Sequence, residues 1–408
     1  MSQKKRLFAV AALSMASAAA MAQTSVSLYG IVDAAVRSET AVNRGQNGGS
    51  IKTLAPGGMS QSRLGINISE DMGGGWRAVA NLEHRLMSDT GAQSSPSDFW
   101  RQAWVGVITP VGRITLGRQY NVLFDLTTST FAPYRYSPYI EQFKPELGVS
   151  VGNRQSNMVK YAITQGGFTA EAQVSAGEGA GDKSVGGMAR YQMGGLAFGA
   201  GMLNAKAPSG AQIKGTVFGG SYTAGSLFVN LGYGKNKFDA ANPADAAYRT
   251  LIVAYSTALV SPATPANQIL TEAAFDVKDR DLLSVGFTYQ MTPQFNVGAQ
   301  FYRMSQSHYG LGALNPALAA SPANYAGRES KANMFSLVGD YALSKRTDVY
   351  VEYDRISIDK SSPTAFAGGC AASALSATGS NLATSTLVST AGCKRSRTGY
   401  MAGVRHRF

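Results

Sequence analysis

The sequence predicts an all-β chain: a 16-stranded antiparallel β-barrel that crosses a membrane, with its third long loop folded inward. Three observations predict it. From Ser25 onward, segments of about ten residues alternate apolar and polar side chains, as strands with two unlike faces do. Tight turns and long polar loops alternate between those segments, so that short connections gather at one rim and long ones at the other. Past the amino terminus, no apolar run reaches the ~20 residues that a spanning helix needs.

The chain opens with the basic stretch Lys4-Lys5-Arg6, an apolar run from Leu7 to Ala20, and Ala20-Met21-Ala22 before Gln23. That order marks residues 1–22 as a secretory signal peptide and leaves 23–408 for the barrel. In the first strand, 25–37, Val26, Leu28, Val32 and Val36 share one face while Ser27, Tyr29, Asp33 and Arg37 share the other. The second, 60–70, turns Leu64, Ile66 and Ile68 outward and Arg63 and Asn67 inward. The third, 75–88, does the same with Ala78, Ala80 and Leu82 against Asn81, Glu83 and Arg85.

Strands follow at 98–108, 112–121, 155–164, 167–177, 184–193, 196–205, 212–223, 226–238, 280–291, 294–307, 331–343, 347–359 and 397–408. Strand 212–223 is the least regular, because Lys214, Phe218 and Tyr222 share a parity. Loop 239–279 contains Leu251-Ile252-Val253-Ala254-Tyr255, a candidate extra hairpin. Alternation alone also fits a water-soluble sandwich; the alternating connection lengths favour the barrel. Sixteen strands enclose an aqueous lumen, and the even count puts both termini at the short-turn rim.

Residues 121–155 form a long stretch without strand pattern between regular neighbours. Structureless loops of that length are uncommon and usually functional. This one carries Asp125, Glu141 and Glu146 among aromatics and prolines, and is expected to fold into the lumen and narrow it. Parity places Arg37, Arg63, Arg85 and Arg190 on the lumen face; Arg101 joins them if Trp104, Gly106 and Ile108 face out, and Arg118 is ambiguous. An arginine on the lipid face near mid-membrane costs ~2–4 kcal/mol, so the pattern carries an energetic constraint.

The net charge of +12, less the three charges of Lys4, Lys5 and Arg6, leaves +9. In an exported chain this excess points to steering of small anionic solutes rather than to nucleic acid. Cys370 and Cys393 lie in one Ser/Ala/Gly/Thr-rich stretch, where export favours a loop-closing disulfide. A metal site is the rival, and no nearby histidine supports it. Enzymatic readings find little: His84 falls on the outward face, His406 on the closing strand's lipid face, and His308 in a loop. No nucleophile is placed beside an oriented base, no phosphate loop precedes a helix, and no cofactor is expected.

The closing strand puts Tyr400, Val404, His406 and Phe408 on one face and ends on the aromatic. Such an end suits a sorting signal read by the barrel-assembly machinery.

Leu28-Tyr29-Gly30-Ile31-Val32-Asp33, Ser62-Arg63-Leu64-Gly65, Arg101-Gln102-Ala103-Trp104-Val105-Gly106, Leu116-Gly117-Arg118-Gln119-Tyr120 and Val404-Arg405-His406-Arg407-Phe408 occur in this order. Together they resemble the Gram-negative general porin family, in particular its β-proteobacterial branch. Asn153-Arg154-Gln155-Ser156-Asn157 resembles the segment after that family's constriction loop. The resemblance implies a homotrimer in the outer membrane, in contact with lipid and lipopolysaccharide. It also implies a constriction where wall arginines, here Arg63 and Arg101, face carboxylates of the third loop, with Glu83 a nearby wall acid and Glu146 near the loop's acidic tip.

The expected function is passive diffusion of small hydrophilic solutes with anion preference. A substrate-specific channel, or a surface binding protein on the same barrel, is the alternative; a membrane-embedded hydrolase is a third reading.

Overall fold

A computed structural model describes residues 24–42, 49–91, 100–131, 151–178, 183–240, 245, 247–248, 277–309, 329–358 and 396–408. Its side chains invert the arrangement of a water-soluble sheet. Val26 (67%), Leu28 (61%), Val105 (59%) and Val351 (61%) are exposed, while Asp33, Asn81, Glu83, Gln173, Gln300 and Asp354 are buried. A sandwich would bury the first set and wet the second. Apolar side chains outside and polar ones inside are what a membrane-spanning barrel requires.

The strands are β1 (Thr24–Val42), β2 (Gly49–Ala55), β3 (Arg63–Gly73), β4 (Trp76–Arg85), β5 (Trp100–Thr109), β6 (Gly112–Tyr120), β7 (Arg154–Gln165), β8 (Phe168–Ser175) and β9 (Lys183–Met193). Then come β10 (Leu196–Lys206), β11 (Gln212–Ala224), β12 (Leu227–Phe238), β13 (Val277–Gln290), β14 (Phe295–His308), β15 (Glu329–Ala342), β16 (Thr347–Ile358) and β17 (Ser396–Arg407). From β3 to β17 each pairs antiparallel with the next. The wall closes where Ile31–Thr40 of β1 pair with Arg407–Thr398 of β17. Gly30 and Phe408 complete the seam with reciprocal backbone bonds of 3.0 and 3.1 Å.

Among the described residues, seventeen strand segments make sixteen wall positions. On its other edge, β1 pairs with β3 through Thr24–Ile31 and with β2 through Ala35–Val42. β2 and β3 are therefore two halves of one wall position, interrupted at 56–62. The sequence reading placed a loop over 38–59, whereas β1 continues to Val42 and β2 fills 49–55. Pro56-Gly57-Gly58 breaks the strand there, and the bend turns inward. Asp33 accepts from the backbone N–H of Gly58 (3.0 Å) and Ser60 (2.8 Å) and from the Tyr350 hydroxyl. Met59 packs behind it with Ala35, Val338, Tyr350 and Met401.

The turns of the opposite rim are tight. Gln165 pairs with Phe168 and Met193 with Leu196, leaving two-residue connections that open on Gly166 and Gly194, both at φ +57°. A positive φ at the first turn position suits glycine, and such turns match the strand twist. Strand β11 forms in unbroken register with both neighbours despite its irregular pattern. Phe218 and Tyr222 lie exposed on its outer face.

The third loop starts with a helix that alternation did not reveal, α1 (Val122–Thr130). Asn121 caps it, its side-chain oxygen accepting from the Phe124 N–H at 2.9 Å, a favoured N-terminal arrangement. Val122, Leu123 and Leu126 are fully buried in a cluster with Met188, Leu203, Ile213 and Val217 of the wall. The helix thus lies inside the barrel against β8 to β11. Residues 132–150 with Glu141 and Glu146, the signal segment 1–22, the stretch Leu251–Tyr255, and Cys370 and Cys393 lie outside the described residues.

Candidate lumen constriction

Strands β3, β4, β5 and β7 bring charged side chains to one patch of the inner wall, centred on Glu83. This carboxylate is 3% exposed. Arg101 Nη1 stands 3.3 Å from its Oε1 and Arg63 Nη1 3.9 Å from its Oε2. The Tyr29 hydroxyl donates to Oε2 at 3.2 Å and Gln102 Nε2 to Oε1 at 3.4 Å. Tyr120 forms the second hub: its hydroxyl accepts from Arg101 Nη2 (3.0 Å) and Arg154 Nη2 (3.2 Å). The Arg154 guanidinium also lies 4.7 Å from the centre of the Tyr120 ring. Three guanidiniums around one carboxylate leave a local excess of two positive charges.

Local backbone features set this geometry. Tyr29 reaches Glu83 by crossing Gly65, where a Cβ would overlap its ring. Arg101 reaches the lumen through a bulge: Glu83 pairs with Gln102, but His84 pairs with Trp100, so Arg101 is the extra residue. Such an insertion re-aims a side chain. The parity condition attached to Arg101 is therefore corrected. Val105 faces out, and Trp104 faces in, its Nε1 donating to Gln102 Oε1 at 3.3 Å.

The other expected site residues fall in different places. Arg85 sits on β4 directly across from Arg63. Asp125 belongs to the first turn of α1, where it pairs with Lys160 of the wall. Arg37 does turn inward, but it is 1% exposed and paired with Glu39 (2.7 Å) and Asp354 (2.6 Å), so it acts within a buried ion network. Arg118, a possible lumen charge whose side parity left open, shares the outer face with Ile114 and Leu116, and donates to the Trp100 carbonyl (3.1 Å) and Ser156 Oγ (3.0 Å). Arg190 lies on the lumen side of β9, lining a cavity beside α1. His308 ends strand β14, not a loop, and is buried. Tyr400, Val404 and Phe408 are exposed on the outer face of the closing segment, and the His406 ring stacks on Phe408 at 6.5 Å.

Sequence reasoning missed Arg154, Tyr120 and Lys160 as lumen groups. Arg154 is the first residue of β7, one position before the strand was expected to start. Lys160 shares its inward parity with Met158.

Comparison with known proteins follows the same lines. A sequence profile of the Gram-negative porin family matches residues 9–361. The chain is 36% identical over 173 residues to outer membrane porin protein 32 of Delftia acidovorans, covering 41% of this chain and 48% of that protein. The aligned part is thus about half of that relative's length. Among solved structures, an anion-selective porin from Comamonas acidovorans superposes with a TM-score of 0.64 at 21% identity, over 95% of this chain and all of that one. The trimer form of OmpT, an outer membrane protein of Vibrio cholerae, superposes with a TM-score of 0.58 at 16% identity, over 94% of this chain and 99% of that one. At these identities the likeness is one of fold.

Proposed function

This chain belongs to the Gram-negative porin family, and from that premise we propose that it is a general diffusion channel of the outer membrane that favours small anions. One observation carries the proposal: Arg63 and Arg101 both pair with the single carboxylate Glu83, and Arg154 joins Arg101 on the Tyr120 hydroxyl beside it. Guanidinium stays charged at any working pH, and rings of such charges in a pore favour anion passage. Glu83 pairs with Arg101 and accepts from Tyr29, and so anchors the cluster. The third loop begins with α1 inside the barrel, and in this reading Glu141 and Glu146 face the arginine wall and set a transverse field.

Other parts of this reading rest on the family and on physical argument. The channel is a homotrimer, in keeping with the trimeric form of one structural relative. Its outer belt meets lipid and lipopolysaccharide. Tyr400, Val404, His406 and Phe408 present the end that the assembly machinery reads. Residues 1–22 direct export, and Cys370 and Cys393 close a surface loop as a disulfide. No catalytic group, metal or cofactor enters the mechanism.

The test is single-channel recording in planar bilayers. Conductance proportional to salt concentration, with a zero-current potential of anion-selective sign, is expected. Replacing Arg63 and Arg101 with glutamine should move that potential toward cation preference, and an unmoved potential would remove those residues from the narrow zone.

A further inference from the structure

A second set of charges lies below this waist, toward the short-turn rim. A cavity of about 360 Å³, at the small end of the range for ligand sites, lies between α1 and the inner faces of β5 to β9. Its lining combines Arg113, Lys160 and Arg190 with Asp125, Glu171 and Trp104. Lys160 is committed: its Nζ donates to the Tyr120 carbonyl (3.0 Å), pairs with Asp125, and lies 3.8 Å from Glu171. Those contacts fasten the first turn of α1 to the wall and fix the cavity's shape.

The two arginines are differently placed. Arg113 has no ion pair and no hydrogen bond among the described residues, while Arg190 donates Nη2 to the neutral Gln192 Oε1 at 2.7 Å. Both side chains line the cavity. Their planar forks suit a carboxylate. Between them the wall is apolar as well as polar. Trp104 has its one N–H engaged with Gln102 and lines the cavity, and Met188 lines the same space. An inorganic anion would make no use of that surface.

We propose that this cavity is a second anion station, past the arginine waist, for a small carboxylate with an apolar or aromatic body. Arg113 and Arg190 attract the carboxylate, and Trp104 and Met188 cover the body. The proposal rests on the anion-channel reading of the lumen and adds to it a site where transit is retained.

The experiment measures conductance against concentration in potassium benzoate and in potassium chloride, for wild type and for R113Q/R190Q. Wild-type conductance is expected to level off in benzoate while staying proportional in chloride. In R113Q/R190Q the half-saturating benzoate concentration should rise at least ~10-fold. R113K/R190K, which keeps the charges without the forks, should fall between the two, and W104L should weaken benzoate saturation alone. Should R113Q/R190Q not fold, R113K/R190K and W104L carry the test. Benzoate conductance without saturation in wild type would overturn the proposal, as would half-saturation unchanged in the folded variants. Failure of the waist reading shows elsewhere: the anion preference in chloride would then survive loss of Arg63 and Arg101.

Discussion

Replacing Arg154 with glutamine isolates one charge of the waist. Tyr120 keeps its bond from Arg101 at 3.0 Å, so the hub retains a donor while the local excess falls from two charges to one. An ion crossing ~6 Å from the guanidinium in water gains or loses about 0.7 kcal/mol. A Debye length of ~10 Å at 0.1 M salt reduces this to about 0.4 kcal/mol, or ~2-fold for each ion. Anion and cation shift in opposite directions, so their permeability ratio should drop ~3–4-fold. At 1 M salt, where screening acts over ~3 Å, the drop should be less than ~1.5-fold. The assay is the zero-current potential across a bilayer at fixed salt ratio, repeated at both ionic strengths. Arg154→Lys should hold the wild-type ratio because it keeps the charge. A ratio unmoved in R154Q at low salt, or moved equally at both salts, would refute the electrostatic reasoning.

Two further substitutions probe what positions the cluster. Glu83→Gln leaves Arg63 and Arg101 facing each other without their shared carboxylate. Loss of a buried partner should cost about 3–5 kcal/mol, read as a lower urea midpoint for unfolding in detergent, with anion preference increased in the folded fraction. Gly65→Ala sets a methyl against the Tyr29 ring. Overpacking of this kind costs about 1–3 kcal/mol, and the displaced hydroxyl should loosen its bond to Glu83. Thermal unfolding and the zero-current potential should both shift, and a wild-type result in both would show that Tyr29 does not position the carboxylate.

Where one face meets lipid and the other water, alternation is a strong signal, and the wall was legible from residues such as Val26, Leu28, Asp33 and Arg37. Departures arose wherever that alternation breaks. The bulge at Arg101 shifts parity by one residue, so the reading reached the correct side for Arg101 through the wrong side for Trp104. β2 is short and stops at Pro56, and its pairing with the upper part of β1 depends on an inward bend that no local pattern announces. Helix α1 was within reach: Asn121 precedes apolar Val122, Leu123 and Leu126 with Asp125 in the first turn, the usual start signals.

The bend at 56–62 ties the beginning of the chain to its end. Asp33 and Tyr350 are 317 positions apart, and Ser60 Oγ accepts from Arg405 Nη1 across 345. Contacts so distant in sequence form late, because the intervening polymer must first be brought round. Arg63 follows this bend directly, and its Nε donates to the Gln61 carbonyl at 3.0 Å. A nascent barrel still missing its final two strands would therefore hold an unfinished filter, and ionic discrimination would emerge only at the moment of ring closure.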